Sequence, residues 1–466
     1  MSCSKIQRID AEFFMKKYLN AEKLINSKKS ENLGDCIELL TDYHANGSYE
    51  ILNNNVKLLD YKEYAYMVRT VDLEHENFEN DVIYVDKHAY DFLKKTKMYG
   101  HEIIINKIGS AGKVYLMPEL NIPVTLGMNQ FMLRANKKTN EEYIYSFLNC
   151  KYGKLLIERK ISGAVPPSID KESVRNIRIP KFKNLEKIVK KIVIDSYKLK
   201  EFSKNLYKEA NIKFLDNVDV YNESSSCSNI NIKSKSESFD ASGRIDAEYY
   251  QLKYDILYEK LKKLKTKKLG ELVTRKKSIE PGSELYRSEG IPFIRVSNLF
   301  KDKITKTNIF LNPDEIKNIE QLYPKKDTIL LSKDGSVGIA YKIEEDSEII
   351  TSGAILHLNI NDIQEILPDY LTLVLNSEIV RLQAERDSNG AIIQHWKPSQ
   401  IDEVIIPILD MEIQEQITDK VKKSFQLKRN AERLLEFSKE IVEIAIEENE
   451  EVAIKHIKEN GYDEYL

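Results

Sequence analysis

The chain has only four cysteines and one tryptophan in 466 residues. Cys3, Cys36, Cys150 and Cys227 lie far apart with no CxxC pair, so neither a disulfide framework nor a zinc-type spacing is present. The seven histidines are scattered, and neither His101 nor His395 has a sequence neighbour that favours a metal ligand over a packing or surface role. No metal ligand is assigned. No apolar run approaches the roughly 20 residues of a membrane helix, and nothing near the start has the form of a secretory signal. These absences set the expectation of a soluble, cytoplasmic protein with ordinary reduced thiols.

With 42% hydrophobic and 31% charged residues, the chain can bury a full core and is long enough for two or three domains. Its formal net charge is −3, but the charge is unevenly spread. Residues 253–277 hold ten basic residues against three acidic, a local +7, and residues 151–191 hold twelve against four, a local +8. Residues 432–466 reverse this, with eleven acidic against four basic, a local −7. Basic stretches of this size can meet phosphate while the acidic end hides them in the total. Solvated helix faces are the competing explanation.

The sequence also repeats itself. "RIDAEFFMKKY" begins at Arg8 and "RIDAEYYQLKY" at Arg244, and Leu33-Gly34 stands before Leu269-Gly270 at the same spacing. After a ten-residue shift, "MVRTVDL" (Met67 to Leu73) aligns with "FIRVSNL" (Phe293 to Leu299), and "KIGSAGKVY" (Lys107 to Tyr115) with "KDGSVGIAY" (Lys333 to Tyr341). One residue further in offset, Tyr143, Leu148-Asn149, Arg159, Gly163-Ala164 and Ile179-Pro180 fall on Tyr370, Leu375-Asn376, Arg386, Gly390-Ala391 and Ile406-Pro407. Such a period is too long for a solenoid unit, so it reads as a tandem duplication of a whole domain.

Each copy has the same coarse pattern. Asp10 and Asp246 are expected to cap a short helix, with Glu12 and Glu248 in its first turn. Runs such as "GIPFIRVSNL" and "DTILLSKDGSVGIAY" predict short strands. "EEYIYSFLNCKYGKLLIERK" and "PDYLTLVLNSEIVRLQAERD" each predict helix packed on that sheet. Long amphipathic segments close the copies. Apolar residues recur at Leu185, Ile188, Ile192, Leu199, Phe202, Leu206 and Ala210, and at Ile413, Ile417, Val421, Phe425, Ala431, Leu434 and Ile441. That spacing gives a narrow seam of the coiled-coil type. The Ser-rich stretch between the copies reads as a flexible connector.

On these residues the chain resembles the specificity subunit of type I restriction-modification systems. The resemblance covers essentially the whole chain and rests on "GIPFIRVSNL", "KDGSVGIAY" and the stretch from "NGAIIQHWKPSQ" to "IIPIL", with degenerate counterparts in the first copy. It implies an α+β fold of two tandem target recognition domains, each followed by a long helix, the helices pairing as an antiparallel coiled coil. The boundaries expected are 1–180 for the first domain, 181–221 for its helix, 222–242 for the linker, 243–408 for the second domain, 409–450 for its helix and 451–466 for an acidic tail. The function implied is recognition of a bipartite double-stranded DNA target in defence against foreign DNA. A helix of about 30 residues spans roughly 45 Å, more than one DNA turn of about 34 Å, and acts as a ruler.

The resemblance also implies two adenine methyltransferase subunits and a restriction motor subunit as partners. S-adenosylmethionine, ATP and Mg would be used by those partners, with no cofactor bound by this chain. Candidate DNA-binding residues are Arg69, Lys107, Ser110, Lys113, Arg295, Ser297, Asn298, Lys333 and Ser336: arginine is the usual reader of guanine, and the others flank turns that can approach phosphate or base edges. A structural salt bridge at the arginines and ordinary turn residues elsewhere are the alternatives. Candidate partner-binding residues are Ile188, Ile192, Leu199, Phe202, Ile417, Val421, Phe425 and Leu434, with burial of the seams against each other as the alternative. Trp396 is expected in the core rather than on a base.

No catalytic residue is assigned. Pro166-Pro167 sits in "AVPPS" without the flanking residues of an amino-methyltransferase motif, and Pro368-Asp369 opens no nuclease-like carboxylate cluster. "GSAGKVY" fails as a phosphate loop because its lysine comes too early and Val114 replaces Ser/Thr. Its glycines read as a strand-turn-strand. A coiled-coil scaffold without DNA and, behind it, a single-chain DNA-modifying enzyme are the alternative functions.

Overall fold

A computed structural model of the chain describes residues 10–79, 81–163, 165–219, 230–388 and 394–466. They form two compact units, the first from residues up to Lys200 together with Arg429–Leu466, the second Glu201–Lys428. Each unit therefore takes one repeat and one part of each long helix. Among the described residues no helix is long and apolar enough to cross a membrane.

The first unit is built on a four-stranded sheet in the spatial order Ile37–Asp42, Gln130–Ala135, Ile103–Asn106, Val114–Leu116, all neighbours antiparallel. One face of this sheet carries Ile103, Ile105, Phe131 and Leu133 into a core shared with the helices, the other carries Ile104 and Met132 into a second apolar cluster. A smaller sheet runs Ile83–Val85, Ala65–Val68, Val124–Leu126, Lys97–Met98, with its central pair parallel. The second unit repeats the plan. Its main sheet runs Val273–Lys277, Ile355–Ile360, Ile329–Ser332, Ala340–Lys342, and its smaller sheet also contains one parallel pair, Ile291–Ile294 with Ile350–Thr351.

Matching hydrogen bonds show that the duplication is structural. Ser30 faces Pro180 in a short antiparallel pair, and Thr266 faces Pro407 in the other copy. Tyr143 Oη donates to the carbonyl of Pro180 at 2.8 Å, and Tyr370 Oη to that of Pro407 at 2.8 Å. The aromatic pair after each "RIDAE" has a purpose too. Arg159 lies 4.2 Å from the ring centroid of Phe13, and Arg386 lies 4.9 Å from that of Tyr249. The opening segment is thus clamped onto the helix of its own copy by a cation over a ring. Arg8 and Ile9 lie outside the described residues.

Several local expectations change. Asp10 does cap Ala11–Phe14, accepting from the Phe13 N–H at 3.0 Å. Asp246 makes no such bond; its carboxylate is taken by Arg244, whose Nε lies 2.8 Å away. The helix expected in each segment after the sheet is present, as two pieces: Glu141–Asn149 and Lys151–Lys160, then Pro368–Leu375 and Glu378–Asp387. In the first copy Cys150 starts the second helix, and a Cβ on Gly153 would stand 2.0 Å from the Phe147 carbonyl. Only glycine allows that close turn. Of the Ser-rich stretch, 222–229 lie outside the described residues; beyond them Ser234 and Ser238 make local hydrogen bonds and Phe239–Ser242 is helical.

The long helices are Lys183–Val218 and Met411–Glu447. They run antiparallel inside each unit. In the first unit Ser196 Oγ donates to Ala431 O at 2.8 Å while Glu450, beyond the second helix, reaches the N–H groups of Asn184 and Leu185. In the second unit Ser203 and Ser424 hydroxyls meet at 3.1 Å, and Lys420 pairs with Glu209. Buried serines explain one misplaced seam position. The inward row passes through Ser196 and Ser203, leaving Phe202 59% exposed. Apolar periodicity alone passes over a buried hydroxyl that is satisfied by the neighbouring helix.

Candidate nucleic-acid interface

The candidate site in each copy is a loop that leaves the small sheet and a glycine turn of the main sheet. In the first copy these are Arg69–Glu74 and the hairpin between Ile103–Asn106 and Val114–Leu116. In the second they are Arg295–Phe300 and the hairpin between Ile329–Ser332 and Ala340–Lys342. The turns superpose in their bonding. The N–H of Gly112 donates to Asn106 O at 2.8 Å and that of Gly338 to Ser332 O at 2.9 Å. Both glycines, and Gly109 and Gly335 before them, have φ between +77° and +86°. The motif is a hairpin turn needing left-handed backbone, as its sequence predicts.

The structure brings Arg69, Ser110 and Lys113 onto one acidic loop. The buried carboxylate of Asp72 accepts from Arg69 Nη2 at 2.6 Å and Nε at 3.1 Å, and from the Arg69 backbone N–H at 2.8 Å. The carbonyl of Asp81 takes a further guanidinium hydrogen. Two residues on, Glu74 Oε1 accepts from Lys113 Nζ at 2.7 Å and from Ser110 Oγ at 3.0 Å. Lys113 holds the Glu74 carboxyl below its ordinary range, helped by Ser110. Lys107 is elsewhere. It shares Asp42 with Lys171, at 3.2 and 2.7 Å; burial alone would raise that carboxyl, but the two ammonium groups hold it down.

The second copy lacks these acids. At the position of Asp72 stands Asn298, whose Oδ1 still accepts from the Arg295 N–H, at 3.1 Å. The position of Glu74 is Phe300, 41% exposed. Arg295, Ser297 and Ser336 are exposed, and among the described residues the Arg295 guanidinium has no ion-pair partner. Val296 and Leu299 pack with Ile339 and Tyr341, which fixes the loop against the hairpin. Lys333 pairs with Asp334, and His395 Nδ1 lies 2.9 Å from the same carboxylate. Burial opposes ionisation of Asp334, but Lys333 and His395 keep it below the usual carboxylate range.

Asp42, Asp72, Glu74 and Lys171 were not singled out by sequence. The one signal was the acidic "VDLE" standing where the other copy has "SNLF".

The seam residues are placed as follows. Ile188, Ile192, Ile417, Val421 and Leu434 are buried, and Leu199 and Phe425 are partly buried, with Phe425 stacked on Tyr207 at 5.7 Å. Trp396 is 1% exposed in the core of the second unit. His101 faces two carboxylates, Glu142 at 3.2 Å and Glu119 at 3.4 Å, and Glu142 chiefly raises its pKa.

Residues 261–436 match the family described as the type I restriction modification DNA specificity domain. The match falls within the second copy and the helix that follows it, and over that span the resemblance to a type I specificity domain is borne out. The matched span begins inside the second copy and runs into the second long helix. No curated protein matches the chain. Among solved structures, the type I restriction-modification S subunit from M. genitalium aligns at 14% identity over 90% of this chain and 94% of its own, with a TM-score of 0.42. The HsdS subunit from Thermoanaerobacter tengcongensis aligns at 13% identity over 90% and 97%, with a TM-score of 0.29.

Proposed function

We propose that the chain is the DNA-recognition subunit of a type I restriction-modification complex. Two domains of one plan in one chain carry this reading, because two similar readers with different loops suit two unlike half-sites separated by unread base pairs. The difference between the loops supports it: the inner strand pairs of the main sheets share one register and both hairpins close on the same glycine N–H bond, while the exposed residues at Arg69–Glu74 and Arg295–Phe300 differ. The long helices set the length of the unread gap, as a 36-residue helix is about 54 Å long.

In this reading the chain does no chemistry. Two methyltransferase subunits dock on the helices and supply S-adenosylmethionine, and a motor subunit using ATP and Mg joins them. The seam residues hold the platform from behind, and exposed helix residues such as Phe202 and Ile212 face the partners. The complex works in the cytoplasm, where foreign DNA arrives.

Selection from a random duplex library, with and without the methyltransferase subunits, tests the proposal. Two short fixed motifs at a fixed spacing are expected. Retention without enrichment would reduce the function to phosphate binding, and no retention even with the partners would favour a scaffold.

A further inference from the structure

Resting on the DNA-recognition reading, the exchange of two residues between the copies carries a further step. The loop after the small sheet keeps its backbone cap in both copies, since Arg69 N–H donates to Asp72 at 2.8 Å and Arg295 N–H to Asn298 at 3.1 Å. What changes is charge. An aspartate at that position also accepts the guanidinium, from Nε and Nη2 together, whereas an asparagine offers one oxygen already used by the backbone. Asp72 is 3% exposed and Arg69 has 36% of its side chain exposed, so the pair is held by the fold rather than formed in free solvent. Glu74 repeats the device on the neighbouring turn, holding both Ser110 and Lys113, while Phe300 in its place leaves Ser336 without an acid.

We propose that the two copies hold DNA unequally at this loop: Arg295 meets an acceptor on the duplex, and Asp72 and Glu74 withhold the equivalent groups of the first copy. The residue three positions after the arginine is the positioning residue that decides which. With Asn298 the guanidinium is free to reach a phosphate or the acceptor edge of guanine. With Asp72 the guanidinium is already paired with a buried carboxylate, and leaving it would strand that charge. The first copy then reads its half-site through other groups.

The test is a double-mutant cycle on the full chain, measuring binding to a random-sequence duplex at stepped salt. Asn298→Asp keeps the acceptor that caps the loop, and unchanged thermal unfolding checks that the domain stays folded. It is expected to weaken binding about tenfold and to reduce the slope of log K against log salt by about 0.9, the loss of one phosphate contact. In an Arg295→Gln background the same substitution is expected to do little, because the group it captures is gone. Asp72→Asn is expected to act in the opposite direction, raising affinity and slope. A guanine-free duplex separates the two acceptors: equal loss on both duplexes indicates phosphate, loss only where guanine is present indicates the base edge. Equal effects of Asn298→Asp in both backgrounds, or no effect in either, would overturn the proposal while leaving DNA recognition standing. Failure of the unmodified chain to bind any duplex, with the methyltransferase subunits as well as without them, would remove both.

Discussion

At the scale of single residues, two side chains make sharp predictions. His357 is 4% exposed, with Nε2 2.8 Å from Thr351 Oγ1, and burial pushes its pKa down to about 4, aided by Lys276. Its folded pKa lies below that of the unfolded chain, so the unfolded state binds the extra proton first. The second unit should therefore keep its full stability above about pH 6.5 and lose it as pH falls towards 4. Urea unfolding at pH 7.5 and pH 5 should show this loss, and His357→Gln should remove much of the difference. The tyrosine bonds make a paired prediction. Tyr143→Phe and Tyr370→Phe each leave a buried proline carbonyl without its donor, at a cost of about 1–3 kcal/mol. Chemical denaturation should place the first loss in the first unit and the second in the other.

At the scale of elements, charge placed at helix ends and sheet edges does work that hydrophobic area cannot. Glu450 Oε1 accepts from the N–H groups of Asn184 at 2.7 Å and Leu185 at 2.8 Å, closing the start of the first long helix from another segment. Glu450→Ala should expose those donors and cost about 0.5–2 kcal/mol, measured as a shift in the first unit's unfolding. In the second unit Lys342, 5% exposed, lies 3.3 Å from Asp369 and 3.3 Å from Asp327. Lys342→Met removes the nearest cation from the buried Asp369, leaving it only Lys422 at 3.7 Å, and should cost about 3 kcal/mol, the lower end for a broken buried pair. Replacing Asp369 by Leu in the same chain should recover part of that loss, since an ion pair removed whole costs less than one cut in half. The buried serines of the long helices belong here as well. They let the helices meet through hydroxyls that find partners, at positions where an apolar pattern expects a gap.

At the scale of the whole molecule, the uneven charge becomes a prediction about binding. Basic side chains that meet phosphate release counterions, so duplex affinity should fall linearly in log K as log salt rises, despite a net charge of −3. A filter or fluorescence titration across salt concentrations checks this, and binding of a partner protein that ignores salt while duplex is ignored would instead indicate a scaffold. The unequal neutralisation of the two copies means the slope should owe more to the second unit than to the first.

The sequence by itself determined that there are two copies of one domain, that each hairpin turns on left-handed glycines and that a long helix follows each copy. These features are local or repetitive: Gly112 and Gly338 declare their backbone angles through residue type, and the "RIDAE" copies declare their relation through spacing. Only the tertiary structure decided which candidate residues are free. Arg69 and Arg295 are identical letters in similar loops, yet one is held by a buried carboxylate and the other is exposed. The same holds for Phe202, apolar and correctly spaced but facing outward because Ser203 takes the inward place. Pairing, burial and facing depend on neighbours distant in sequence, such as Glu74 beside Lys113 or Ser203 beside Ser424, and no periodicity along one segment encodes them.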